Sequence, residues 1–199
     1  QVVSLCSETE LSGVPGEYEF EGSATENALV EMALHNGIDV PALRAERPTL
    51  RTRYRSEGRP YMATLHPLKG GKHLLAVKGS PEQVLEMCTF QIRNGKKVRL
   101  TKQMRQKILT ENERMAGNAL RVLGAAYREQ DSNRMPAKTG NLVWLGLAGM
   151  ADPMRPGMDQ FVARLHRAGI ETVMITGDQS APAQAIGQQL GLSGDKPLQ

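Results

Sequence analysis

From residue 142 onward, strand and helix alternate at regular spacing, whereas before it they mix without such an order. The run 142 to 150 reads as a strand, 157 to 168 as a helix, 171 to 175 as a second strand and 181 to 190 as a second helix. Such a βαβα succession makes a right-handed parallel crossover, the unit of doubly wound sheets. The C-terminal part is therefore expected to be α/β, with a domain boundary between residues 142 and 152.

The longer N-terminal part reads as α+β. Ser23, Thr25 and Asn27 offer capping groups, and Leu29, Met32 and Ala33 recur at helical spacing until Asn36-Gly37, which predicts a helix over 25 to 36. Residues 61 to 66 and 74 to 77 read as strands joined through Lys69-Gly70-Gly71-Lys72, a hairpin. Ser80-Pro81-Glu82-Gln83 places a capping Ser before a first-turn Pro with a reciprocal Gln, so 81 to 88 is expected to be helical. After a turn at Asn94-Gly95, Thr101 caps a longer helix ending near Gly117, and 120 to 127 is a strand.

The longest apolar run, 142 to 151, is about half the length needed to cross a bilayer and is broken by Gly146 and Gly149. The chain opens at Gln1 without a basic and then apolar leader, so it reads as a piece of something longer. Cys6 and Cys88 are too few and too far apart for a disulfide framework or a zinc site, which suits a reducing compartment. A net charge of +4 suits a polyanion, ATP or nucleic acid alike. The densest basic stretch, from Arg44 through Arg47, Arg51, Arg53 and Arg55 to Arg59, has a single interleaved aromatic, Tyr54, carries no RNA- or DNA-binding signature and reads as a solvated face.

Three short motifs sit where strands meet helices. In Lys78-Gly79-Ser80-Pro81-Glu82 the glycine permits close approach to the backbone, and the lysine can carry a cation into a cleft. An ordinary turn with an exposed lysine fits those residues too. Thr176-Gly177-Asp178 gives a hydroxyl, a glycine and a carboxylate at a helix start, where phosphoryl groups are favoured, or a plain N-cap. Asp152-Pro153-Met154-Arg155-Pro156-Gly157 is by itself a rigid connection into a helix.

Taken in order and spacing, these motifs resemble the large cytoplasmic loop of the P-type ATPases. Lys78 to Glu82 is similar to the family's KGAPE with Ser for Ala, Asp152 to Arg155 to its DPPR with Met154 for the second Pro, and Met174 to Asp178 to its M-x-TGD. Gly22-Ser23-Ala24-Thr25-Glu26 resembles GEATE, and residues 119 to 123 the strand bearing a nucleotide-contacting arginine. The resemblance implies that Glu26 and Lys78 line an adenine pocket, that Arg121 reaches toward the phosphates, and that Gly79, Asp152 and Arg155 also serve the nucleotide. It implies Thr176, Gly177 and Asp178 as part of the phosphoryl site of a parent pump. The family's adenine-stacking Phe is missing; Tyr54 takes its place and Tyr61 is the runner-up.

The expected architecture is thus a nucleotide-binding α+β domain over 1 to 145, an antiparallel sheet with flanking helices, followed over 146 to 199 by a partial HAD-like phosphorylation domain. The acceptor segment DKTGT and the magnesium-holding GDGxND are both absent from this sequence, so the piece is expected to bind ATP without turning it over. No metal ligands are assigned to it; Mg2+ belongs to the intact pump. That pump is expected to be multi-pass in the cell membrane, with this chain on the cytoplasmic side, contacting the remaining domains or associating with itself through the incomplete second domain. Two other classes stay in view. A soluble HAD-type phosphohydrolase would need a D-x-D nucleophile, and a nucleic-acid-binding module would rest on the Arg44 to Arg59 stretch alone.

Overall fold

The computed structural model describes residues 1–118, 120–151, 157–175, 186–188 and 190–192. Two compact units divide the chain: Gln1–Leu109 with Leu123–Ala148, and Thr110–Val122 with Gly149–Gln199.

The first unit opens with a short helix, α1 (Val2–Leu5), and a hairpin of β1 (Glu10–Val14) and β2 (Glu17–Glu21), which pair antiparallel as a separate two-stranded sheet. Helix α2 (Ala24–His35) starts where Ser23 Oγ accepts from the Glu26 N–H, and Glu26 in its first turn suits the positive end of the helix dipole. Leu29, Val30 and Ala33 are its buried residues; Met32, expected inside, is exposed, so the buried stripe is rotated toward Val30. Helix α3 (Val40–Glu46) is capped by Asp39, whose Oδ1 accepts from the Ala42 N–H at 2.9 Å.

Then come β3 (Arg51–Arg53), β4 (Tyr61–Pro67), β5 (His73–Gly79), α4 (Pro81–Glu86), β6 (Cys88–Arg93), β7 (Lys96–Arg99), α5 (Lys102–Gly117), β8 (Leu120–Gln130) and β9 (Leu142–Ala151). The seven strands from β3 on form one sheet in the order β3-β4-β5-β8-β9-β6-β7. The pairs β3–β4, β4–β5, β5–β8 and β6–β7 are antiparallel, as an antiparallel sheet with flanking helices requires; β6–β9 is parallel.

Both faces of β4 and β5 are covered, which is why five consecutive residues of β4 and six of β5 are buried. Strand alternation sorts the side chains. Ala63, Leu65, Leu75 and Val77 pack with Val84, Leu85, Leu100 and Trp144, and α5 covers this side with Met104, Ile108 and Leu109. Leu74 and Ala76 face the other way, against Leu5, Cys6 and Leu43. Each fully buried leucine here contributes about 1.5–3 kcal/mol. Gly124 lets the Trp144 indole lie on the sheet, since a Cβ there would come within 2.7 Å of the ring.

Several expectations are corrected. Ser80 makes no capping bond to α4; its hydroxyl donates to Glu82 Oε2 at 2.7 Å, and Gln83 turns to Glu86 instead of reaching back. The helix ends at Glu86, because Cys88 already belongs to β6. The strand at 142 finds its parallel partner in β6, upstream of it, rather than in 171 to 175. In the second unit, α6 (Met158–Arg167) forms as expected, but 171 to 175 is not a strand: Val173 and Ile175 are 83% and 95% exposed. A pentapeptide such as Glu171-Thr172-Val173-Met174-Ile175 becomes a strand only when a neighbour takes its N–H and C=O groups, and none does so among the described residues. On α6, Val162 is buried and Phe161 exposed. The expected helix over 181 to 190 lies mostly outside the described residues; 186 to 188 are helical.

Candidate functional site

Lys78 stands near the end of β5, paired with Met62 of β4 on one side and Ala125 of β8 on the other. Alternation puts its side chain on the face of Leu74 and Ala76, beneath the N-terminal helices. There its ammonium donates to Glu26 Oε2 of α2, and the two side chains are only 4% and 13% exposed. Fifty-two residues of sequence separate them. A lysine this deep stays charged only with a partner, and the first turn of α2 delivers one.

The same carboxylate oxygen accepts from Ser7 Oγ at 2.8 Å and from the Glu8 N–H at 3.3 Å. Among the described residues all three donors go to Oε2, so Oε1 remains the oxygen for a further donor. The segment carrying Ser7 is tied down twice. Arg44 of α3 donates to the Thr9 carbonyl at 2.7 Å and, through Nε and Nη2, to the Ser4 carbonyl at 3.1 and 3.0 Å. Thr9 Oγ1 donates to Asn27 Oδ1 at 2.9 Å, next to Glu26 on α2. Burial lowers the guanidinium's pKa while the nearby Glu26 charge opposes the shift. Next to Ser7, the thiol of Cys6 donates to the Met62 carbonyl at 3.6 Å, and burial pushes its pKa up to about 11 against the pull of Lys78. His66 completes this layer, held between the Arg47 carbonyl at 3.0 Å and Thr64 Oγ1 at 2.8 Å; burial lowers its pKa.

Sequence motifs identify Glu26 and Lys78; Ser7, Cys6 and Arg44 carry no local signal. Arg44 belongs to the stretch read as a solvated face, yet it is half-buried and structural. Arg53 likewise turns inward, to the Pro136 carbonyl at 2.6 Å and Thr139 Oγ1 at 3.2 Å. Gly79 has a different use from a ligand's close approach: a Cβ there would sit 2.4 Å from the Pro60 carbonyl oxygen and 2.5 Å from Tyr61 Cα. Tyr54 follows the last residue of β3 and is exposed. Tyr61 packs on the face opposite Lys78, its hydroxyl 3.2 Å from Thr139 Oγ1. Arg121 is exposed on β8 and falls in the second unit. Asp152, Arg155, Thr176, Gly177 and Asp178 lie outside the described residues. Among the described residues no three His, Cys, Asp or Glu side chains group as a metal site would need, and no helix is long and apolar enough to cross a membrane.

An α+β unit that buries a KG-x-PE lysine against the glutamate of a GEATE-like helix start defines a class, the nucleotide domains of ion-motive ATPases. Residues 1–157 match the family model described as P-type ATPase, cytoplasmic domain N, and the chain belongs to that family. It is 32% identical over 199 residues to Calcium-transporting ATPase 1 of Lactococcus lactis, covering 98% of this chain and 22% of that protein. It is 34% identical over 196 residues to Cation-transporting ATPase pma1 of Synechocystis, covering 96% and 21%. Against the putative calcium-transporting ATPase 11, plasma membrane-type, of Arabidopsis thaliana, identity is 33% over 179 residues, covering 89% and 18%. The chain thus spans about a fifth of the length of these relatives.

Proposed function

We propose that this chain binds ATP for a cation-transporting pump of which it forms part, with the adenine held at the buried Lys78–Glu26 pair. That pair carries the reading, because a desolvated cation and anion at one point can serve a donor and an acceptor side by side, as an aminopurine edge presents them. Glu26 Oε1 accepts from the adenine amino group, and the Lys78 ammonium, fixed by Oε2, faces the ring nitrogens. Tyr54 supplies an exposed ring for stacking. Gly79 keeps β4 and β5 close enough to hold Lys78 in place. Arg121 serves the phosphates through a planar fork of donors suited to phosphate oxygens, and Asp152 and Arg155 also serve the nucleotide.

Residues 146 to 199 form part of the phosphorylation domain, with Thr176, Gly177 and Asp178 at the phosphoryl site once the pump's acceptor aspartate is in place. Magnesium, where it acts, belongs to the intact pump. The parent is a multi-pass membrane protein and this chain lies on its cytoplasmic side, contacting the other cytoplasmic domains. The segment at 171 to 175, unpaired among the described residues, is where self-association would begin when those domains are absent. Calorimetric titration with ATP tests the assignment. Wild type should bind in the high micromolar to millimolar range, and Glu26→Gln and Lys78→Ala should each lose about 1–3 kcal/mol of binding. Unchanged affinity in both folded variants would remove the pocket.

A further inference from the structure

Away from the Lys78 face, residues 87 to 110 contain Arg93, Lys96, Lys97, Arg99, Lys102, Arg105 and Lys107 and not one Asp or Glu, in a chain with 25 basic and 21 acidic residues. The remainder of the chain is therefore net acidic, and the positive charge is concentrated on the β6–β7 hairpin and the first half of α5. Arg105 turns inward to the Leu85 and Cys88 carbonyls. The other six are exposed, and none forms an ion pair among the described residues; Lys97 rests 4.4 Å over the Phe90 ring.

Two further features share this surface. Between β6 and α5 lies a groove of about 340 Å³, with Ile92, Met104 and Ile108 in its lining and Arg93 and Lys107 beside them. Strand β7 ends the sheet order. Leu100 donates to the Thr89 carbonyl at 2.9 Å, so antiparallel alternation turns Val98 toward Gln91 and directs the N–H and C=O groups of Lys97 and Arg99 away from β6.

We propose that this surface docks an acidic, extended segment of a partner protein that carries an apolar side chain. Its backbone adds to the β7 edge, its carboxylates meet the unpaired cations, and its apolar side chain enters the groove. The geometry favours a peptide over an anionic bilayer. The apolar side chains here are recessed and half-buried, so they would accept an inserted group rather than enter a membrane themselves.

Fluorescence anisotropy with a fluorescein-labelled peptide of alternating Glu and Thr around one central Leu tests the proposal on the full chain. Binding should weaken as salt rises, and should fall by about tenfold or more in the Lys97→Glu/Lys107→Glu variant, whose changes are on exposed side chains. Replacing the peptide's Leu by Ser should also weaken it, and amide exchange at Lys97 and Arg99 should slow in the complex. The proposal is overturned if the variant binds equally well or if ATP displaces the peptide completely. It is also overturned if vesicles of phosphatidylcholine and phosphatidylserine capture the chain while the peptide does not bind.

Discussion

Removing either member of the Lys78–Glu26 pair should destabilise the fold by unequal amounts. Both side chains are well below one-third exposed, so solvent screens little of the effect. Breaking a buried pair by deleting one partner costs about 3–5 kcal/mol. Lys78→Met leaves the Glu26 carboxylate with the Ser7 hydroxyl and the Glu8 N–H, so its cost belongs near the low end, about 3 kcal/mol. Glu26→Leu strands an ammonium beneath the sheet with no carboxylate bonded to it, and its cost belongs near the top, about 5 kcal/mol. The double variant removes both charges at once and should be more stable than the sum of the singles predicts by about 1–3 kcal/mol. Urea unfolding followed through Trp144, the single tryptophan and a buried one, gives all four stabilities. Single costs that add to within about 0.5 kcal/mol would refute the coupling, and with it the idea that the lysine is charged for the sake of this glutamate.

Gly79→Ala should destabilise by about 1–3 kcal/mol in the same assay, because the new methyl meets backbone at Pro60 and Tyr61 that cannot rotate away; a neutral effect would mean the two strands part freely. Burial raises the Cys6 and Cys88 thiols to about 11 and about 12, above an unfolded value near 9.0. The folded state therefore keeps protons that the unfolded chain loses, so their contribution is whole below pH 9 and declines as pH rises through 11 and 12. Unfolding midpoints flat from pH 9 to 11 would contradict this. Incubation with γ-labelled ATP and acid precipitation should leave no label on the chain, since no Asp is followed by Lys-Thr-Gly-Thr; stoichiometric labelling would contradict that reading.

What was legible in the sequence was local. Ser23, the helix it caps and the β4–β5 hairpin all follow from short-range chemistry, and ordered motifs brought Glu26 and Lys78 together. The rest of the site depends on distance along the chain. Ser7 lies 19 residues from Glu26, and Arg44 lies 40 from Ser4, so no window of periodicity links them. The β6–β7 hairpin had a signal that was half used: Asn94 and Gly95, at φ 50° and 72°, form the two-residue turn that joins paired strands, yet only the turn was expected. The segment 171 to 175 shows the converse failure, a strand-like pattern that no neighbour completes among the described residues.

The central claim is that ATP is held where Lys78 meets Glu26. An NMR titration of the isotopically labelled chain with ATP tests it most directly, with the Ser7, Glu8, Glu26 and Lys78 signals followed together. The account predicts saturable shifts in these four and in Tyr54, lost in Glu26→Gln. Shifts that leave them still and gather instead on the basic surface of β7 and α5 would contradict it.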